Sequence, residues 1–212
     1  MPNYIYHCGV REKGKLPYLL SFWSGYYLAT LALCAFAMLS QWFGSSVEVL
    51  SALLLAGVGS LLSGHLLGRY LALRSMPVSR LILLLIAGAL LTLGPIMLGE
   101  RLAVHAVRAH WTEQSAALAL VGLLFAPSMV LLCAIPPYAA TMLVRHRGNP
   151  GSISGTILLL TALGFGLGAI ATADYLGTRL DAHAMMKALL TLSAILCILA
   201  LLRHPPRRIR GF

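Results

Sequence analysis

The chain has 212 residues, of which 59% are hydrophobic and 10% charged, and its mean hydropathy is +0.85. Soluble domains carry about 25% charged residues, so this composition excludes an ordinary water-soluble domain and points to an integral membrane protein. The formal charge of +10 does not point to nucleic acid, because the basic residues stand between and after apolar runs, where topology signals belong, and form no basic–aromatic groove.

Residues 1–16 are polar and basic and read as a cytoplasmic tail. The apolar run that follows has no small-residue cleavage site after it, so it is expected to remain as the first span. A membrane helix needs roughly 20 apolar residues. Six such runs are present, at 17–40, 47–67, 81–98, 115–136, 153–172 and 183–202. The expected fold is therefore an all-α membrane protein, with a six-helix domain over 17–202 and a basic tail at 203–212. Pro136 and Pro137 either end the fourth span or kink it, in which case it continues to about Leu143. The connection "ERLAVHAVRAHWTEQ" is expected to be an ordinary polar loop; an amphipathic turn through Leu102, His105, Val107 and Trp111 is the alternative.

Twelve of the sixteen Lys and Arg residues fall in the two tails and in the loops after spans 2 and 4. The positive-inside rule then puts both termini in the cytoplasm, which an even number of spans permits. Cys34, Cys133 and Cys197 lie in apolar runs, form no CxxC or Cys/His cluster, and read as small buried hydrophobes. No metal site and no cofactor is implied, and a haem would need two facing mid-span histidines where only His65 is available.

Small residues recur at helical spacing in two spans. In span 2 the stripe is Gly57, Ser60, Gly64 and Gly68; in span 5, Gly151, Gly155, Ala162 and Gly166 form one stripe, and Thr161, Gly164 and Gly168 another. Lipid is as apolar as leucine, so membrane helices gain most by close backbone approach, which small residues permit. Spans 2 and 5 are accordingly expected to be interior, and the leucine-rich spans 3 and 6 lipid-facing. The polar residues within reach of a glycine-lined space between spans 1, 2 and 5 are Tyr26, Tyr27, Glu48 and His65, which makes them the candidates for an interior ligand site. No span carries a central carboxylate or lysine of the kind ion-coupled transporters use. "GFGLGA" lies inside a span and reads as packing, not as a dinucleotide fingerprint.

The run from "LSFWSGYY" to "GSLLSGHLLGR" resembles the start of the membrane domain of the spermidine-synthase-like membrane proteins, the fused major-facilitator/spermidine-synthase family. The resemblance rests on Ser24–Gly25, on Phe43–Gly44–Ser45, on the GxGSxxxG of Gly57, Gly59, Ser60 and Gly64, and on "GSISGTILLLTALGFGLG" in span 5. It implies half of a major-facilitator fold in a bacterial inner membrane. Family members often continue into an aminopropyltransferase domain; nothing here matches the acidic residues of that domain, so no catalytic residue is carried over. Gly68 also stands where the acid of a major-facilitator GxxxDR loop would be, before Arg69.

Three functions are consistent with these features. The first is a non-catalytic membrane module that docks a separate cytoplasmic transferase-like protein through Arg69, Arg74, Arg80, Arg145 and Arg147. The second is a small-solute or polyamine transporter working as a homodimer of six-span halves. The third is a membrane enzyme acting on a lipid or quinone, with His65 or Glu48 as acid or base.

Overall fold

The computed structural model describes residues 15–74, 78–109, 111–178 and 181–203, so the tails at 1–14 and 204–212 and the side chain of Arg147 lie outside it. In chain order the helices are α1 (Leu16–Phe43), α2 (Val47–Arg74), α3 (Val78–Leu91), α4 (Leu93–Arg108), α5 (Glu113–Leu120), a π-helical turn (Val121–Phe125), α6 (Ala126–Arg147), α7 (Pro150–Thr178) and α8 (Ala182–Arg203). They make six stretches long and apolar enough to cross a membrane, the third formed by α3 and α4 and the fourth by α5, the π turn and α6.

Local chemistry accounts for most boundaries. Pro17 sits in the first turn of α1, where its missing N–H costs nothing. Gly44 follows α1 with φ 73°, and Gly148 takes the left-handed cap of α6 at φ 73°, giving its N–H to the Val144 carbonyl at 2.9 Å. Thr112 caps α5 through its side-chain oxygen, with Glu113 in the first turn. Pro127 removes the donor that the Leu123 carbonyl would use and crowds it, and the helix widens to the π turn there. Pro136 and Pro137 do not end the fourth span; α6 runs through both to Arg147.

Most of the connection expected to be a loop is instead helical. Span 3 continues as α4 to Arg108, burying Pro95, Gly99, Ala103 and Ala106. Those small residues recur three or four apart and form the contact face, while Val107 and Trp111 stay about half exposed.

The interior is not where the glycines suggested. In the apolar stretch of each span, 56% of residues are buried in the first and 50% in the fourth, but only 28% in the second and 22% in the fifth. Spans 1 and 4 form the centre, span 3 is 44% buried, and spans 2 and 5 are flanks. The physical reason is that a small-residue stripe serves one interface, not several. α7 lays Gly164 and Gly168 on the backbone of Phe22 and Tyr26, while Gly25 of α1 meets the Thr161 carbonyl. α2 does the same to α6: a methyl on Gly64 would lie 2.5 Å from the Cys133 Cβ, and one on Gly68 would meet the Ala134 carbonyl. Both pairs are parallel, since contacts advance in the same direction along both helices.

Gly57 and Gly155, expected to be packing positions, have nothing within 4 Å of where a Cβ would be. Of the expected stripe, Gly151, Gly155 and Ala162 are exposed and Gly166 is half-buried with nothing within 4 Å of where a Cβ would be; of the two stripes it is the one with Thr161, Gly164 and Gly168 that makes contact.

The pairing has an internal symmetry. Exchanging spans 1–3 with spans 4–6 turns the α1–α7 interface into α6–α2, the α3–α6 interface into α8–α1, and α1–α2 into α6–α7; α1–α6 and α3–α8 map onto themselves. Each set has three spans, an odd number, so the second enters the membrane from the opposite side. The pairing pattern is that expected of an inverted repeat of two three-span halves.

Replacing Gly164 with Leu should therefore cost about 3 kcal/mol or more, the upper range for overpacking a tight contact. Gly155→Leu should stay within about 0.5 kcal/mol. Thermal unfolding in one detergent, run on both variants, checks the contrast.

Candidate functional site

Among the described residues, the hydrogen bonds that tie α1, α3, α6, α7 and α8 together include neutral hydroxyls, the Tyr27 phenol and the Trp23 indole. Their focus is the interruption of span 3 at Thr92. Pro95 has no N–H to give the Leu91 carbonyl, and the helix breaks just before it. At the break the Thr92 N–H bonds the Ala89 carbonyl at 3.2 Å, and its Oγ1 donates to the same oxygen at 2.6 Å. Gly88 thereby loses the helical donor that Thr92 would have supplied. Ser128 of α6 replaces it, donating its Oγ to the Gly88 carbonyl at 2.7 Å. Tyr27 of α1 closes the arrangement with its hydroxyl 3.0 Å from Thr92 Oγ1.

Two further contacts hold α1 to its neighbours. Thr172 of α7 donates to Thr30 Oγ1 at 2.9 Å, while Thr30 donates to the Tyr26 carbonyl at 3.0 Å. Trp23 donates its indole N–H to Ser193 Oγ of α8 at 2.9 Å, and its ring stacks on Tyr26 with centroids 5.3 Å apart. Tyr27, Thr30, Thr92, Ser128, Thr172 and Ser193 are all buried. In lipid each unmet polar group is costly, so such pairs bring helices to one geometry.

The expected interior quartet does not assemble. Tyr27 is fully buried with its hydroxyl engaged, so it forms no part of an aromatic belt and is not open to a ligand. Tyr26 is half-buried under Trp23. Glu48 and His65 are exposed on α2. They face outward because α2 turns its only buried stripe, from Val49 and Ala52 through Ser60, Gly64 and Gly68 to Ala72, toward the bundle. The glycines expected to line a space between spans 1, 2 and 5 instead serve two separate interfaces, Gly25, Gly164 and Gly168 between α1 and α7 and Gly64 and Gly68 between α2 and α6.

One cavity lies elsewhere, between Met38 and Phe43 of α1, Gly99 and Ala103 of α4, and Phe125 of the π turn. At about 20 Å³ it has room for about one water, and its apolar lining gives a water no partner. Among the described residues no three His, Cys, Asp or Glu gather as a metal site. Cys34 and Cys197 are buried and Cys133 is half-buried, all as free thiols. The hydroxyl cluster can fix helix positions; it offers no acid, base or nucleophile pair for turnover.

Of the expected docking residues, Arg69, Arg74 and Arg145 are exposed and Arg80 is half-buried. Arg74 lies over the Tyr70 ring at 4.9 Å. All four stand where α2, α3 and α6 reach one end of the bundle. Reading the residues alone missed Thr92, Ser128, Thr172 and Ser193. Pro95, three residues after Thr92 inside an apolar run, was the available sign that span 3 would break and need polar partners.

Comparison with family models, curated proteins and solved structures returns no match for the chain.

The Tyr27–Thr92 contact should be worth about 0.6 kcal/mol, and no more than about 1.7 kcal/mol, as for other hydrogen bonds between membrane helices. A double-mutant cycle with Tyr27→Phe and Thr92→Val, read by unfolding in detergent, gives that coupling directly.

Proposed function

We propose that the chain is a non-catalytic membrane module, of the spermidine-synthase-like kind its sequence resembles, that docks a separate acidic cytoplasmic protein. It sits in a bacterial inner membrane with both termini in the cytoplasm. The observation that carries this reading is the separation of charge between the two ends. By sequence, twelve Lys and Arg fall in the two tails and in the loops after spans 2 and 4, with Glu12 as the one acid there; the other connections and the span ends beside them carry four basic residues and five acids. The bias sets orientation by the positive-inside rule and leaves Arg74 and Arg145 exposed at the end of α2 and near the end of α6. The buried hydroxyls of Tyr27, Thr30, Thr92, Ser128 and Thr172 support a structural role for the interior, since each is engaged in a hydrogen bond that holds helices in place; Ser60 Oγ alone among the described buried side chains has no such partner.

A second reading is a polyamine or small-solute transporter made of two copies. The inverted-repeat pairing pattern and the weakly buried α2 and α7 favour it, because secondary transporters are commonly built from such repeats with the substrate path between them. The path would then lie between copies, since the six-helix interior is closed. Among the described residues, His65 and Glu48, the acid or base candidates of the lipid- or quinone-directed enzyme, stand exposed on α2 and 17 residues apart.

The test is gentle extraction followed by native mass determination and peptide identification. The docking reading expects a soluble acidic transferase-like protein in fixed ratio, lost on combining Arg74→Gln with Arg145→Gln and weakened by raised salt. A bare homodimer unaffected by those substitutions would overturn it and favour the transporter.

A further inference from the structure

We propose that the outward face of α2 at its basic end binds one anionic phospholipid, with Arg69 and His65 on the phosphate and the apolar residues behind them along an acyl chain. Leu55, Val58, Leu62, His65 and Arg69 are spaced three or four apart and share a face. All five are exposed, the three apolar ones at 57% to 63%. They lie on a flank helix only 28% of whose apolar stretch is buried, so the bundle leaves this face uncovered.

Depth places the two polar groups. Glu48 and Arg69 are separated by 21 residues of one helix, about 31 Å at 1.5 Å per residue, close to the hydrocarbon thickness of about 30 Å. With Glu48 at one boundary, Arg69 reaches the other. His65 is then one turn, about 6 Å, inside the phosphate plane, at the depth of the glycerol esters. No described residue gives the imidazole a hydrogen bond. An unpartnered imidazole on an apolar face is costly, and a lipid phosphate or ester oxygen is the acceptor at that depth. A guanidinium holds a phosphate through two parallel N–H groups, which makes Arg69 the anchor and His65 the second donor.

Charge selects the headgroup. The described acids, Glu48, Glu100, Glu113, Asp174 and Asp181, all lie at the opposite end, so nothing described here pairs with the cation of a zwitterionic lipid. Arg69 is also a docking candidate, but the two readings are separable: the lipid site is read by lipid retention in Arg69→Gln, and docking by partner loss in Arg74→Gln with Arg145→Gln.

Native mass spectrometry of the full chain in detergent, titrated with phosphatidylglycerol or phosphatidylcholine, tests it. The wild type should retain one phosphatidylglycerol in preference to phosphatidylcholine. Arg69→Gln should weaken that retention about tenfold, the loss expected for one charge-assisted contact, and His65→Gln should weaken it less. Arg108→Gln, at the other end, should leave it unchanged, and melting temperatures should match the wild type for all three. Equal retention of the two lipids, an unaltered Arg69→Gln, or a loss of equal size in Arg108→Gln would overturn the site. Displacement by millimolar inorganic phosphate would show a free-anion site and overturn the lipid assignment.

Discussion

The organisation of this protein depends on close backbone approach at five glycines, with Gly25 of α1 against Thr161 of α7 as one of them. Gly164 and Gly168 of α7 close on Phe22 and Tyr26 of α1; Gly64 and Gly68 of α2 close on α6. Hiding leucines from lipid gains little, so α2 and α7 keep rows of exposed leucines and are held by their small-residue faces. Once each flank is fixed to its central helix, α1 and α6 are left to meet each other and the back pair, α3 and α8. The same spacing, a glycine four residues from the next, serves both three-span halves.

Polar accounting fixes the middle. Pro95 breaks span 3, the break turns the Thr92 N–H away from Gly88, and Ser128 and Tyr27 from the two central helices take up what is released. Each group answers a deficit made by another, so the hydroxyls belong to the architecture. That leaves the chemistry of the protein to its two ends and its lipid-facing surface. The ends differ in charge, and the outward face of α2 carries an imidazole that the bundle itself does not use.

The two functional readings draw on different parts of this arrangement. Docking uses the exposed arginines where α2 and α6 reach one end, and needs no movement. Transport uses the weakly buried α2 and α7 and a second copy, and needs the interfaces at Gly64 and Gly164 to permit rocking. Glycine contacts suit either, because close approach without interlocking side chains both holds helices together and lets them slide.

Sequence by itself determined the helical membrane class, the number of spans and the basic character of one end, because these follow from composition and run length. It also marked Ser60, Gly64, Gly68, Gly164 and Gly168 as contact positions, since a stripe of small residues has one main use in lipid. It did not tell Gly57 and Gly155 from them, because spacing gives a face and not a partner. Nor did it show that glycine-rich spans are flanks, or that residues 93–108 form a helix whose contact face is Pro95, Gly99, Ala103 and Ala106. The positions of Tyr27, Glu48 and His65 were likewise decided by tertiary structure, which turned Tyr27 inward to Thr92 and left the other two outside. A helix has polar positions all round, and only its neighbours determine which of them are enclosed.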